Sequence, residues 1–180
     1  MAAAVPDRRI LLLCGSLRAG SVNEAVLRTA ADVAPDGVQA GWYDGMARLP
    51  HFNPDDDHDP LPAEVIALRS AVAAADAVLI CTPEYAGALP GALKNLLEWT
   101  VGGVEFNGRP VAWINASSAA APTGGADAHD SLRKVLRYVD ATIVEAAVAR
   151  IPVARADVLD GRVTDPELRA QIAAAVRALV

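Results

Sequence analysis

Lysine is missing from the first half of this chain: none occurs before Lys94. The absence matters because the stretch CGSLRAGSVN, Cys14 to Asn23, otherwise has the glycine-and-hydroxyl look of a phosphate cradle. A P-loop for ATP or GTP places a lysine directly after its second glycine, where it reaches the β and γ phosphates; here Ser21 follows Gly20. The dinucleotide pattern G-x-G-x-x-G is absent as well, since the loop reads G-S-L-R-A-G. Two cysteines in 180 residues give no disulfide framework. Aromatic residues make up only 4% of the chain, so each one beside a candidate site carries weight. The 53% hydrophobic fraction is spread over segments shorter than a membrane span needs. Basic clusters are also lacking, and a net charge of -6 with a pI near 5.0 argues against nucleic-acid and membrane partners. The opening MAAAVPDRRILLLCGS imitates a signal peptide, but its apolar run is too short and ends in a polar loop without a cleavage site. The expected compartment is the cytoplasm.

What is present alternates. The runs RILLLC (9–14), VQAGWY (38–43), AVLICT (77–82), PVAWIN (110–115) and TIVEAAV (142–148) read as strands. Helical periodicity separates them. Ser21 and Glu24 form an S-x-x-E capping box ahead of Val22, Val26, Ala30 and Val33. Segments 62–75 and 90–101 open on Pro62 and Pro90. Residues 127–139 set Leu132, Val135, Leu136 and Val139 on one stripe, and a second box, Thr164 to Glu167, starts the last helix. The connection from Asp44 to Leu61 has no period of its own and reads as a loop. Five strands in βα alternation predict one α/β domain with a parallel sheet of order 2-1-3-4-5 and helices on both faces. Ligands of such sheets sit beyond the carboxyl ends of the strands, where the order reverses. That rule selects the loops after Leu13 and after Ile80.

In the first loop, Ser16, Ser21 and Asn23 offer side-chain donors and Arg18 a planar cation, beside the amides of a helix N-terminus. From these residues two readings stand: a receptor for a single phosphate, or a glycine-bearing turn with a capping serine and a surface arginine. The second loop, TPEYAGALPGALKNLLEWT (Thr82–Thr100), sets small residues where backbone can approach a flat heterocycle. It reads equally as an ordinary turn before a helix whose leucines are core.

Together, GSLRAGSVN and PEYAGALPGALKNLLEW closely resemble the NAD(P)H-dependent FMN reductase family of flavodoxin-like proteins, whose members include quinone, azo-dye and chromate reductases. LPHFNPDDD in the long loop and TGG near 124 are similar to that family too, and the likeness spans most of residues 9–139. It implies a flavodoxin-like three-layer sandwich over residues 1–180, with 1–8 a flexible N-terminus. Ser16, Arg18, Ser21 and Asn23 would bind the FMN phosphate, while Pro83, Glu84, Tyr85, Ala86 and Gly87 would line the isoalloxazine. The loop from Ala116 to Gly125 would close over the other ring edge through Ser117 and Gly124.

Relatives often carry Asn where this chain has Ala86, and Asp where it has Glu98. The implied reaction passes hydride from NADH or NADPH to the flavin and then reduces a quinone, free flavin or azo compound. The chemistry belongs to the cofactor and needs no catalytic acid or base from the protein. The resemblance also implies a homodimer or homotetramer, with Leu96, Leu97, Trp99 and Val101 at the interface or in the core. An electron carrier or flavin-binding regulator that never uses nicotinamide, and a phosphate binder without flavin, are the competing functions.

Other features are assigned no role. Cys14 and Cys81 end neighbouring strands and read as buried small residues. DDDHD (Asp55–Asp59) reads as a solvated run rather than a cation site. His51 and His129 stand alone, and no G-x-S-x-G elbow supports a hydrolase.

Overall fold

A computed structural model describes residues 8–118 and 121–180. The flexible N-terminus expected over 1–8 lies outside the described residues except for Arg8, which opens the first strand and donates its amide to Gly37 O at 3.1 Å. Strands β1 (Arg8–Cys14), β2 (Val38–Trp42), β3 (Ala77–Cys81), β4 (Pro110–Asn115) and β5 (Thr142–Ile143) pair in the order β2-β1-β3-β4-β5, all parallel. The predicted order is the observed one.

Period-two alternation divides the core. Ile10, Leu12, Leu79, Cys81, Ala112 and Ile114 face helices α1 (Val22–Asp32) and α5 (Pro166–Leu179). Leu11, Leu13, Val78, Ile80, Val111 and Trp113 face α2 (Ala63–Ala73), α3 (Gly91–Glu98) and α4 (Ala126–Tyr138). Because the central strands are covered on both faces, they read as continuous apolar runs.

Three expectations need correction. The fifth strand is broken: after β5 a 3-10 turn at Glu145–Ala147 buries Ala147, and the short β6 (Ala149–Arg150) then pairs with the end of β4. The last helix is capped by Asp165, whose Oδ1 accepts from the Glu167 and Leu168 amides, both at 2.9 Å. Pro166 then holds the first helical position, where the missing amide costs nothing. At α1, Ser21 Oγ caps the Glu24 amide at 3.1 Å, but the Glu24 carboxylate reaches past Ser21 to the Gly20 amide at 2.9 Å.

A hairpin of β7 (Val158–Leu159) and β8 (Arg162–Val163) turns at Asp160-Gly161, both with positive φ. The Asp-Gly pair within VLDGRV is the sequence signal for that turn. Thr29 Oγ1 accepts the Val163 amide at 2.9 Å and pins the hairpin to α1.

Candidate functional site

The carboxyl ends of β1, β3 and β4 bring three loops together. Gly15 donates its amide to Cys81 O at 2.8 Å, so the first loop leaves the sheet against the strand that feeds the second. A Cβ on Gly15 would overlap the Thr82 side chain, so only glycine allows this approach.

Within the first loop the four expected phosphate residues lie around the start of α1. Ser16 Oγ accepts the Arg18 amide at 3.2 Å. Ser21 is buried, its Oγ accepts the Glu24 amide at 3.1 Å, and its hydroxyl lies 4.0 Å from the Cys14 thiol. Asn23 is turned toward the sheet, where its Oδ1 accepts from the Cys81 thiol at 3.2 Å. The Arg18 side chain is exposed and has no ion-pair partner among the described residues. The Val22 and Asn23 amides make no hydrogen bond among the described residues either. Two free amides, the serine hydroxyls and a guanidinium are a donor set for one phosphate.

Glu24 limits that set. Its carboxylate holds the Gly20 amide and pairs with Arg28 at 2.8 Å. On the β2 side of the loop lies a cavity of about 220 Å³ walled in part by Arg18, Glu24, Trp42 and Asp44. Ser16 and Arg18 line it as well, while the two carboxylates in its wall disfavour an anion beside them.

In the second loop, Tyr85 and Ala88 exchange both backbone hydrogen bonds at 3.1 Å, with Ala86 at φ 51 and Gly87 at φ 71 between them. This is a tight turn of the I′ kind, standing off the surface with Tyr85 51% exposed. Pro83 precedes the turn and accepts the Thr82 hydroxyl at 3.2 Å. The Glu84 side chain points away from it. Its carboxylate accepts the Thr123 hydroxyl at 2.6 Å and the Ala128 amide at 3.2 Å, capping α4 from another loop. The Thr123 hydrogen bond is the main reason its pKa lies below the ordinary carboxylate value.

Asn115 organises the third loop. Its Nδ2 donates to Gly124 O at 2.8 Å and its Oδ1 accepts from the Ser117 amide at 3.0 Å. Gly124 and Gly125 both have positive φ, and a Cβ on Gly125 would overlap the Ser117 hydroxyl. The structure therefore brings Ser117 and Gly124 together with Glu84 at one end of the sheet. Gly15, Thr82 and Thr123 lie inside the motifs named above but receive no role of their own from the sequence, and Asn115 reads only as the end of a strand. Thr123 could have been found only as the residue opening TGG.

The LPHFN segment is pinned from below. Asn95 Nδ2 and Trp99 Nε1 both donate to Pro50 O at 2.8 Å, Asn95 Oδ1 accepts the Phe52 amide at 2.7 Å, and Phe52 meets Trp99 edge-on at 5.1 Å. Leu96, Leu97 and Trp99 are accordingly fully buried in the chain's own core, so of the four candidate interface residues only Val101 is exposed.

These loops share the architecture of a known family: residues 8–154 match that described as NADPH-dependent FMN reductase. The chain belongs to the NADPH-dependent FMN reductase family. It is an FMN-dependent NAD(P)H oxidoreductase of flavodoxin-like fold. A quinone reductase of Escherichia coli K12 is 34% identical over 139 residues, covering 76% of this chain and 73% of that protein. An NAD(P)H-dependent FMN reductase of Pseudomonas aeruginosa is 36% identical over 136 residues, covering 74% and 72%. Among solved structures, the flavoenzyme NAD(P)H:(acceptor) oxidoreductase FerB of Paracoccus denitrificans superposes with a TM-score of 0.80 at 28% identity, covering 96% of this chain and 97% of that one.

Cys14 and Cys81 stand in register across β1 and β3. Burial pushes both thiols up, Cys81 far more, so both stay protonated and unreactive. One member of the acidic run is an ion-pair partner: Asp57 Oδ1 takes Arg69 at 2.7 Å, and Arg69 also donates to Trp99 O at 2.9 Å. Among the described residues no helix is long and apolar enough to cross a membrane.

Proposed function

We propose that this chain reduces quinones with electrons from NAD(P)H, acting as one flavin-binding domain in the cytoplasm. In this reading FMN lies across the switch point, with its phosphate on the α1 start and its ring between the loops after β3 and β4. Bound FMN supplies the two-electron relay between nicotinamide and acceptor.

The residues bind and orient. Arg18, the Ser16 and Ser21 hydroxyls and the Val22 and Asn23 amides hold the phosphate. Pro83, Tyr85 and the backbone of Ala86 and Gly87 form the rim on one side of the ring. Ser117 and Gly124 meet the other edge, positioned by Asn115. Glu84 joins the two loops instead of touching the ring. The backbone amides of these loops favour negative charge on the reduced ring. The small residues Ala86 and Gly87 leave a ring face open for nicotinamide and acceptor in turn.

The observation that carries this reading is the convergence of free anion donors at α1 with a glycine-rich rim tied by Glu84, on the two sides of one sheet reversal. Steady-state oxidation of NADPH by the FMN-loaded protein, with and without benzoquinone, tests it. Turnover that rises with benzoquinone supports the reading. Bound flavin with no turnover on any quinone would make the chain an electron carrier or regulator.

We also propose a homodimer. Val101, Val104 and Tyr138 are exposed at 44%, 78% and 77% near the ends of α3 and α4, and a groove of about 420 Å³ runs between those helices. A Tyr138→Asp variant that sediments as the wild type does would remove this face from the interface.

A further inference from the structure

Reduction puts negative charge on a flavin ring, so the charges held around the ring help decide how readily it accepts electrons. The loops after β3 and β4 and the first turn of α4 carry two charged side chains, Glu84 and Asp127, and both are negative. Glu84 is satisfied by the Thr123 hydroxyl and the Ala128 amide. Asp127 has no ion-pair partner among the described residues, and its Oδ2 stands 4.0 Å from the point where a Cβ on Gly87 would lie. By themselves these carboxylates would oppose reduction of a ring lying between the loops.

A cation reaches the rim from outside every motif of the sequence. The turn at Glu145–Ala147 breaks the fifth strand, and β6 then returns to the end of β4 with Arg150 in register with Asn115, the residue that organises the third loop. There the Arg150 guanidinium packs on Gly124, where a Cβ would overlap its Nη2. Glycine is needed at 124 for that approach as well as for its positive φ. Arg150 is exposed and has no ion-pair partner among the described residues. Its neighbours cannot take its place. Arg133 is committed to Glu145 and sits 4.9 Å over the Trp113 ring. His129, stacked on Trp113 at 6.2 Å, is neutral near pH 7 because burial pushes it down to about 4. Asp130 lines the same cavity as Arg150 without pairing with it.

We propose that Arg150 is the cation of the flavin rim: held on Gly124 at the ring edge, it offsets Glu84 and Asp127 and stabilises the reduced flavin relative to the oxidised one. This role rests on the reading that places FMN between those loops. Backbone amides favour the same charge through partial dipoles, whereas a guanidinium adds a full positive charge. It also gives the break in the fifth strand a consequence for the site, since that break is what brings β6 and Arg150 to the end of β4.

The midpoint potential of FMN bound to the full chain, measured by anaerobic titration with dithionite and a reference dye, tests the assignment without turnover. Arg150→Gln is expected to bind oxidised FMN as the wild type does and reduced FMN about tenfold more weakly, the scale of one charge-assisted contact. That difference lowers the two-electron midpoint by about 30 mV. Arg150→Lys keeps the charge and is expected to stay near the wild-type potential. Arg177→Gln, an equal loss of charge at the exposed end of α5, is expected to leave the potential unchanged. If Arg150 only props the loop, its loss weakens both redox forms alike, so an unchanged potential in Arg150→Gln would overturn the proposal. A Lys variant as low as the Gln variant, or an Arg177→Gln variant that falls as far, would overturn it too. Wild-type protein that takes up no FMN would instead remove the flavin reading itself, and the proposal with it.

Discussion

The Glu84 carboxylate in the loop after β3 accepts the Thr123 hydroxyl in the loop after β4 at 2.6 Å, across 39 positions of sequence. With the Ala128 amide on its other oxygen, one side chain couples both halves of the flavin rim and caps α4. Glu84→Gln and Thr123→Val should each lower the urea midpoint, and the double variant should lose less than the two single losses together. Additive losses would show that the bond does not couple the loops. Because its folded-state pKa is depressed, Glu84 contributes stability above the ordinary carboxylate range that is lost as pH falls through the folded value.

Arg18 offers the cation expected for the phosphate. Arg18→Ala should weaken FMN binding about tenfold or more, the scale of one charge-assisted hydrogen bond. Riboflavin, lacking the phosphate, should bind as before. Equal losses for the two flavins would remove Arg18 from the phosphate site.

Ala86 sits at φ 51, where an L-residue with a Cβ is strained, and Gly87 follows at φ 71. Asn tolerates that backbone region, and Asn-Gly is the favoured pair for this turn. Ala86→Asn should therefore stabilise the protein by roughly 1 kcal/mol, read as a higher urea midpoint. The strain explains why Asn suits this position apart from any contact its amide makes with a ligand.

His129 supplies an acid sensitivity that a different window separates from Glu84. Its folded pKa of about 4 lies below the reference 6.5, so between those values the unfolded chain binds the extra proton. Stability should fall by roughly 3 kcal/mol as pH drops through this range, at about 1.4 kcal/mol per unit. His129→Gln should flatten the slope between pH 6.5 and 4. An unchanged slope would place the sensitivity elsewhere.

The sheet order was legible because the core strands are covered on both faces and appear as unbroken apolar runs. The first loop was legible because Ser21, Glu24 and the glycines lie within one short segment. What escaped was set by distance in sequence. Nothing near Glu84 marks Thr123 as its partner, and Asn115 reads as the last residue of an apolar strand until Gly124 O is found on its amide. TIVEAAV looked like one strand by composition, yet Ala147 is buried by a turn, so the edge is carried by two short pairings with β4. Thr164 promised a capping box, but Asp165 is a stronger cap, and with Pro166 behind it the helix starts one residue later. Trp99 offered both an interface and a core reading; its indole bond to Pro50 O decides for the core.

The central claim is that this chain holds FMN and moves electrons to it from a nicotinamide. The direct measurement is the absorbance of the FMN-loaded protein under anaerobic conditions as NADPH, and separately NADH, is added. Loss of the yellow flavin band with at least one nucleotide, and its return on adding benzoquinone, is the predicted result. Flavin that stays oxidised with both nucleotides in excess would contradict the account.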